Sequence, residues 1–184
     1  SIRVQNLFTH YSGLQPQMPI YGYMRFVNKN GIQCDSFFCT QQKPPYTIEV
    51  AEGVYMRENE PEAIWEAMQE IAPRAGRRFR YSDLNFNILQ KIVEQQAAMP
   101  LDEFVLSRFY HPLGLRRSFY NPLQQIDGQE IVPTAYDNYW RKQTLRGYVH
   151  DESAALLGGV AGNAGLFSTA SELTVLFQML LDKG

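Results

Sequence analysis

Between Leu84 and Val93 the apolar residues Leu84, Ile88, Leu89, Ile92 and Val93 recur along one helix face, directly behind a Tyr-Ser-Asp triplet at 81–83. A stripe of that period has to be buried against something, so it commits the chain to helix packing. Ser82 stands where it can cap the helix start. Three further segments repeat the pattern. In "PEAIWEAMQEIA" the residues are Ile64, Trp65, Met68 and Ile71, with Pro61 suited to the first turn. In "PLDEFVLSRFYHPLGL" they are Leu101, Phe104, Val105 and Phe109, before a stop at Pro112 and Gly114. The last segment carries Leu173, Leu176, Phe177, Leu180 and Leu181, and Thr169 and Glu172 have capping-box spacing at its entry.

Strand signals are weaker. Tyr46, Ile48 and Val50 alternate in "YTIEVAEGVY" and predict a short strand, while Asp127-Gly128 between two short apolar runs predicts a small hairpin. Residues 13–45 hold many aromatics without a clear period, and "LLGGVAGNAGLFST" is rich in glycine. The fold class is therefore mainly α with small β elements, in one unit with no internal repeat.

Composition removes several function classes. The 184 residues are 45% hydrophobic and 20% charged, with a formal net charge of −2, so no basic footprint for nucleic acid is present. No apolar run is long enough to span a membrane as a helix. Cys34 and Cys39 in "CDSFFC" lack metal-site spacing and leave both a local disulfide and two free thiols open. His10, His111 and His150 are scattered, so neither metal nor cofactor is expected. GxSxG, HExxH, Walker-type and GxGxxG motifs are absent, as are SxxK and any Lys-Thr-Gly.

The tyrosine remains. A helix N-terminus favours a nearby negative charge by about 1 kcal/mol at most, and a free phenol titrates at about pH 10. The terminus alone would not make a base at neutral pH, whereas added lysine ammonium groups beside a phenol would favour its phenolate. The plain alternative is that Tyr81 packs beside the helix and Asp83 is an ordinary first-turn acid.

Four blocks decide between these readings by their order. "LFTHYSGL", "FRYSDLNFNILQKIVE", "PLDEFVLSRFYHPLGL" and "GYVHDESAALLGGVAGNAGLFSTASELTVLFQMLL" together closely resemble the serine β-lactamase and penicillin-binding-protein superfamily, in its class C-like, esterase-like branch. The "VHDE" and "AGLFSTA" strings look most like the β-lactamase-type domains that bacteria fuse to family-three glycosidases. The resemblance implies the helical subdomain of the β-lactamase/transpeptidase-like α/β fold. It also implies a parent serine hydrolase working through an acyl-enzyme on a β-lactam, D-amino-acid peptide or ester.

Residue by residue, Tyr81 matches the tyrosine of the family's Tyr-x-Asn motif, which moves the proton of the nucleophilic serine. Ser82 takes the variable middle position. Asp83 stands where the family has asparagine, and an ionised carboxylate accepts hydrogen bonds without donating any. It could hold a lysine by charge, but it would oppose a phenolate. His10 and Ser12 match the Thr-His-x-Ser-Gly-Leu segment that braces the site floor. His150 and Asp151 match a His-Asp pair beside the cleft. Gly162 to Ser168 match a glycine turn below it, with Asn163 where relatives often carry histidine, and close backbone packing is the expected role of that turn.

The family places its SxxK upstream of the Thr-His-x-Ser-Gly-Leu segment and its Lys/His-x-Gly strand downstream of the last helix. The expectation is thus one partial domain over 1–184, without the SxxK helix and the C-terminal strands, and inactive by itself. Expected partners are a small-molecule or peptidoglycan-type substrate in the parent, and a second copy through the face that a missing sheet would leave uncovered. The resemblance places the parent in the periplasm or cell envelope. A non-catalytic cell-wall or glycan-binding module, using the 11 Tyr, 11 Phe and 2 Trp, is the competing expectation.

Overall fold

The computed structural model describes residues 2–18, 34, 36–74 and 78–184. Much of the aperiodic 13–45 stretch, namely 19–33 and 35, lies outside the described residues. The elements are α1 (Val4–Phe8), β1 (Phe38–Cys39), β2 (Tyr46–Ala51), β3 (Val54–Arg57), α2 (Glu60–Gln69), α3 (Asp83–Ala97) and α4 (Leu101–Val105). They continue with β4 (Ala135–Asp137), β5 (Gln143–Leu145), α5 (Glu152–Leu156) and α6 (Ala170–Leu181). The architecture is mainly helical with small sheets, and Cys34 and Cys39 are joined as a disulfide.

The alternating stretch at 46–50 is the first arm of a hairpin. β2 and β3 pair antiparallel across Glu52-Gly53, and β1 adds to β3, giving the order β1-β3-β2. Gly53 turns with a positive φ of 65°, and its N–H donates to Glu49 Oε1 at 3.1 Å. The inner face of this sheet, with Phe38 and Met56, meets Trp140, Ile64 and Met68 of α2, Leu84 and Leu89 of α3, and Leu156 of α5 in one apolar core. Phe38 and Trp140 touch edge to face, with ring centroids 5.4 Å apart.

A second hairpin, β4–β5, pairs Ala135 with Leu145 and Asp137 with Gln143. Its loop is organised by Asp137, whose carboxylate accepts the N–H groups of Tyr139, Trp140 and Arg141 at 3.0, 2.8 and 3.1 Å. The same carboxylate accepts Arg141 Nε at 2.7 Å, and both side chains are buried. Arg141 then donates to the carbonyls of Val50 (3.3 Å), Val149 (2.7 Å) and His150 (2.6 Å). The Gln143 side-chain amide completes the join to the first sheet, exchanging 3.1 Å bonds with the backbone N–H and C=O of Glu52.

Several expectations need correction. The Asp127-Gly128 segment forms no hairpin. Asp127 Oδ1 accepts Gln129 N–H at 2.8 Å and starts a single 3-10 turn over Gly128–Glu130. The third helix is α only to Val105 and continues as a π turn over Leu106–Tyr110, where Ser107 Oγ donates back to the carbonyls of Glu103 and Phe104. At α6, Thr169 Oγ1 accepts Glu172 N–H at 3.3 Å, but the Glu172 carboxylate leaves the box. It accepts Arg116 N–H at 2.6 Å and Arg117 N–H at 2.8 Å instead, pinning α6 to the 116–118 segment. None of the α6 residues is buried, and Phe177, Leu180 and Leu181 are 61%, 64% and 75% exposed.

Asp137 gives a direct check. Burial pushes its carboxyl up, but the Arg141 hydrogen bond and the three backbone N–H groups outweigh this and hold it down at about 2. Its contribution is present above the ordinary carboxylate value of about 4 and is lost as pH falls toward 2. Asp137→Ala leaves a buried guanidinium without its counter-charge and is expected to cost about 3–5 kcal/mol in urea unfolding at neutral pH. That deficit should shrink below pH 3.

Candidate active site

The mouth of α3 is clamped by the chain between His10 and Pro16. Arg80 N–H donates to His10 O and Asp83 N–H to Pro16 O, both at 2.9 Å. Ser82 is fully buried, and its hydroxyl donates to Gln15 O at 2.7 Å rather than capping the helix. Its role is to hold the two segments together, a correction to the capping role expected of it. Gly13 makes the clamp sterically feasible. Its φ is +82°, its carbonyl accepts Arg74 N–H at 2.9 Å, and a Cβ there would lie 2.7 Å from Arg74 O.

With its neighbours fixed, Tyr81 projects outward and is 63% exposed. Its ring stacks on His10, centroids 4.4 Å apart and planes 29° from parallel. Beneath it, His10 Nδ1 is 3.1 Å from Ser82 N and 3.0 Å from Asn85 Nδ2, and Ser12 Oγ donates to Asn85 Oδ1 at 2.6 Å. The structure thus gathers Tyr81, Ser82, His10 and Ser12 into one cluster.

Asp83 is the first residue of α3, where it feels the charges of both Asp151 and His10. Burial pushes its carboxyl above the usual carboxylate range, Asp151 pushes it further, and His10 opposes the shift. Asp151 caps α5: its Oδ1 accepts Ala154 N–H at 2.7 Å, Ser153 Oγ–H at 2.6 Å and Asn163 Nδ2 at 3.2 Å. His150 is fixed through its carbonyl by Arg141. The glycine turn lies directly on α3, where Gly162 N–H donates to Gln90 Oε1 at 2.9 Å and a Cβ on Gly162 would fall 2.1 Å from Phe86 O.

Ser168 belongs elsewhere. Its hydroxyl bonds Ser118 Oγ at 2.7 Å, and Ser118 in turn donates to Glu172 Oε2 at 2.6 Å. Ser168, His150 and Asp151 share a groove of about 610 Å³ with Val132, Thr134 and Phe167, and Tyr81 is not among its lining residues. Asn85, Gln90 and Arg141 were not singled out by sequence, and Glu172 only for its capping-box spacing with Thr169. The one available signal was an amide pair, Asn85 and Gln90, interrupting the apolar face of α3. Among the described residues no group of three or more His, Cys, Asp or Glu side chains could hold a metal ion.

A family model described as "Beta-lactamase" matches residues 1–184. The chain belongs to the beta-lactamase family. Curated relatives include putative D-alanyl-D-alanine carboxypeptidases from Salmonella schwarzengrund and Salmonella gallinarum. The first is 41% identical over 121 residues, 59% of this chain and 28% of the relative; the second is 39% identical over 135 residues, 67% and 31%. This beta-lactamase-family chain therefore spans about a third or less of those relatives' length.

Solved structures of similar fold include the octameric penicillin-binding protein homologue from Pyrococcus abyssi, with a TM-score of 0.58 and 19% identity over 99% of this chain and 35% of that one. The D-amino acid amidase from Ochrobactrum anthropi gives a TM-score of 0.57 at 13% identity, over 98% and 43%. EstCE1, a hydrolase with promiscuous acyltransferase activity, gives 0.58 at 22%, over 97% and 45%. The family and a β-lactamase/penicillin-binding-protein-like fold are thereby shown, and the mainly helical architecture with small sheets is consistent with part of that α/β fold.

Because the Asp83 carboxyl is raised, its ionised form weakens the fold above that raised value, and the penalty disappears as pH falls below the ordinary carboxylate value of about 4. Asp83→Asn is expected to melt at a higher temperature than the parent at pH 7. The difference should close in acid, as thermal unfolding across a pH series would report.

Proposed function

We propose that this beta-lactamase-family chain is the helical wall of a serine hydrolase that works through an acyl-enzyme, with Tyr81 as the residue that carries the serine's proton. The observation behind the reading is the exposed phenol at the mouth of α3, held by a buried clamp on both sides. The pairing of Tyr81 with an activated serine needs a nucleophile and oxyanion donors, which Tyr81 does not supply. The 184 residues contain no SxxK, so the chain as it stands is proposed to form no acyl-enzyme.

Among β-lactam, ester and D-amino-acid peptide substrates, the last is favoured. Supporting it are the printed names of the D-alanyl-D-alanine carboxypeptidase relatives and the replacement of the family's asparagine by Asp83. An amide at that position donates to a substrate carbonyl, which an ionised Asp83 does not do. The same relatives support action on the cell envelope. The exposed α6 face, with Phe177, Leu180 and Leu181, is proposed to be covered by further sheet in the longer protein.

Labelled penicillin mixed with the 184-residue chain should give no stoichiometric covalent label, and labelling would overturn the partial-domain reading. In the longer protein, Tyr81→Phe is expected to slow acylation about 10²- to 10⁴-fold while leaving the melting temperature unchanged; an unaltered rate would remove Tyr81 from the chemistry. In isolation the α6 face should drive self-association and bind a hydrophobic dye. A monodisperse monomer in sedimentation, silent to the dye, would count against an uncovered face.

A further inference from the structure

Four hydrogen bonds beneath Tyr81 all point the same way. Leu14 N–H donates to Ser12 Oγ at 3.1 Å, and the Ser12 hydroxyl donates to Asn85 Oδ1 at 2.6 Å. Asn85 is fully buried, and with its oxygen taken by Ser12 its Nδ2 faces His10 Nδ1 at 3.0 Å. From the other side Ser82 N–H reaches the same Nδ1 at 3.1 Å. A backbone N–H only donates, and so does the amide nitrogen of Asn85. His10 Nδ1 must therefore accept both, which excludes a proton from it and leaves the ring's single proton on Nε2.

We propose that Asn85 is a positioning residue that selects the Nε2–H tautomer of His10 and thereby fixes the ring on which Tyr81 lies. The amide is read in one orientation because Ser82 N–H already requires Nδ1 to accept. Reversing it would set Oδ1 against the lone pair of Nδ1, whereas the Ser12 hydroxyl, with two lone pairs and one rotatable hydrogen, can meet either amide atom. His10 has a positive φ of 58° and its carbonyl accepts Arg80 N–H at 2.9 Å, so its backbone and its ring are fixed by separate contacts. The stacked face of the imidazole then limits the directions open to the phenol. Only the catalytic consequence of this arrangement rests on the proposed role of Tyr81; the arrangement stands without it.

Nuclear magnetic resonance of the 184-residue chain tests the inference, since three histidines give three sets of imidazole signals. At a pH where the ring is neutral, multiple-bond nitrogen–proton spectra should show His10 Nδ1 unprotonated and Nε2 protonated. Asn85→Asp replaces the donor with an acceptor that still takes the Ser12 hydrogen. It should move the proton to Nδ1, deprive Ser82 N–H of its acceptor, and shift the Tyr81 ring protons as the stacking is lost. An Nδ1-protonated ring in the unsubstituted protein overturns the proposal, and this reading needs no variant to fold. An Asn85→Asp protein with unchanged His10 and Tyr81 signals overturns it as well. Failure of Tyr81→Phe to slow acylation in the longer protein would instead sink the functional reading and leave these spectra untouched.

Discussion

A buried guanidinium ties this chain together. Arg141 is almost fully removed from water, a position that costs several kcal/mol unless each donor is satisfied. Asp137 supplies the counter-charge, and the carbonyls of Val50, Val149 and His150 take the remaining fork. Those three carbonyls belong to the first sheet and to the segment that leads into α5. One side chain therefore sets where His150 and Asp151 stand relative to the β2–β3 hairpin, and everything downstream inherits that placement: the Asp151 cap, α5 and the glycine turn on α3.

The candidate site is likewise assembled from backbone groups and amides, with few charges. Tyr81 is oriented by its neighbours' N–H groups and by an imidazole face. Asp83 is the exception, a carboxyl in a partly desolvated place with another acid nearby. Its ionised form is disfavoured there by burial and by Asp151, and departures of this kind concentrate at functional positions.

Periodicity made the helices legible. The stripes at 64–71, 84–93 and 173–181 each correspond to a helix, because a 3.6-residue repeat of large apolar groups has few other ways to be arranged. Motif order made the family legible. The amides were not. Asn85, Asn87 and Gln90 fall outside the apolar repeat of α3, yet all three are buried. Asn85 and Gln90 have partners on the 10–14 segment and the glycine turn, which only the tertiary fold brings close. The β4–β5 hairpin was missed for a related reason, since its loop is held by Asp137 instead of by a glycine turn. At α6 the pattern identified the helix correctly, although none of its residues is buried among these residues.

Gly162 sets how closely the glycine turn approaches α3. Its α-carbon rests against the carbonyl of Phe86, the residue after Asn85, with no room for even a methyl group between them. The gap between the glycine turn and α3 is thus set by two main chains in van der Waals contact. Any residue larger than glycine at 162 would force the turn off α3 and away from the Gln90 amide that holds its N–H.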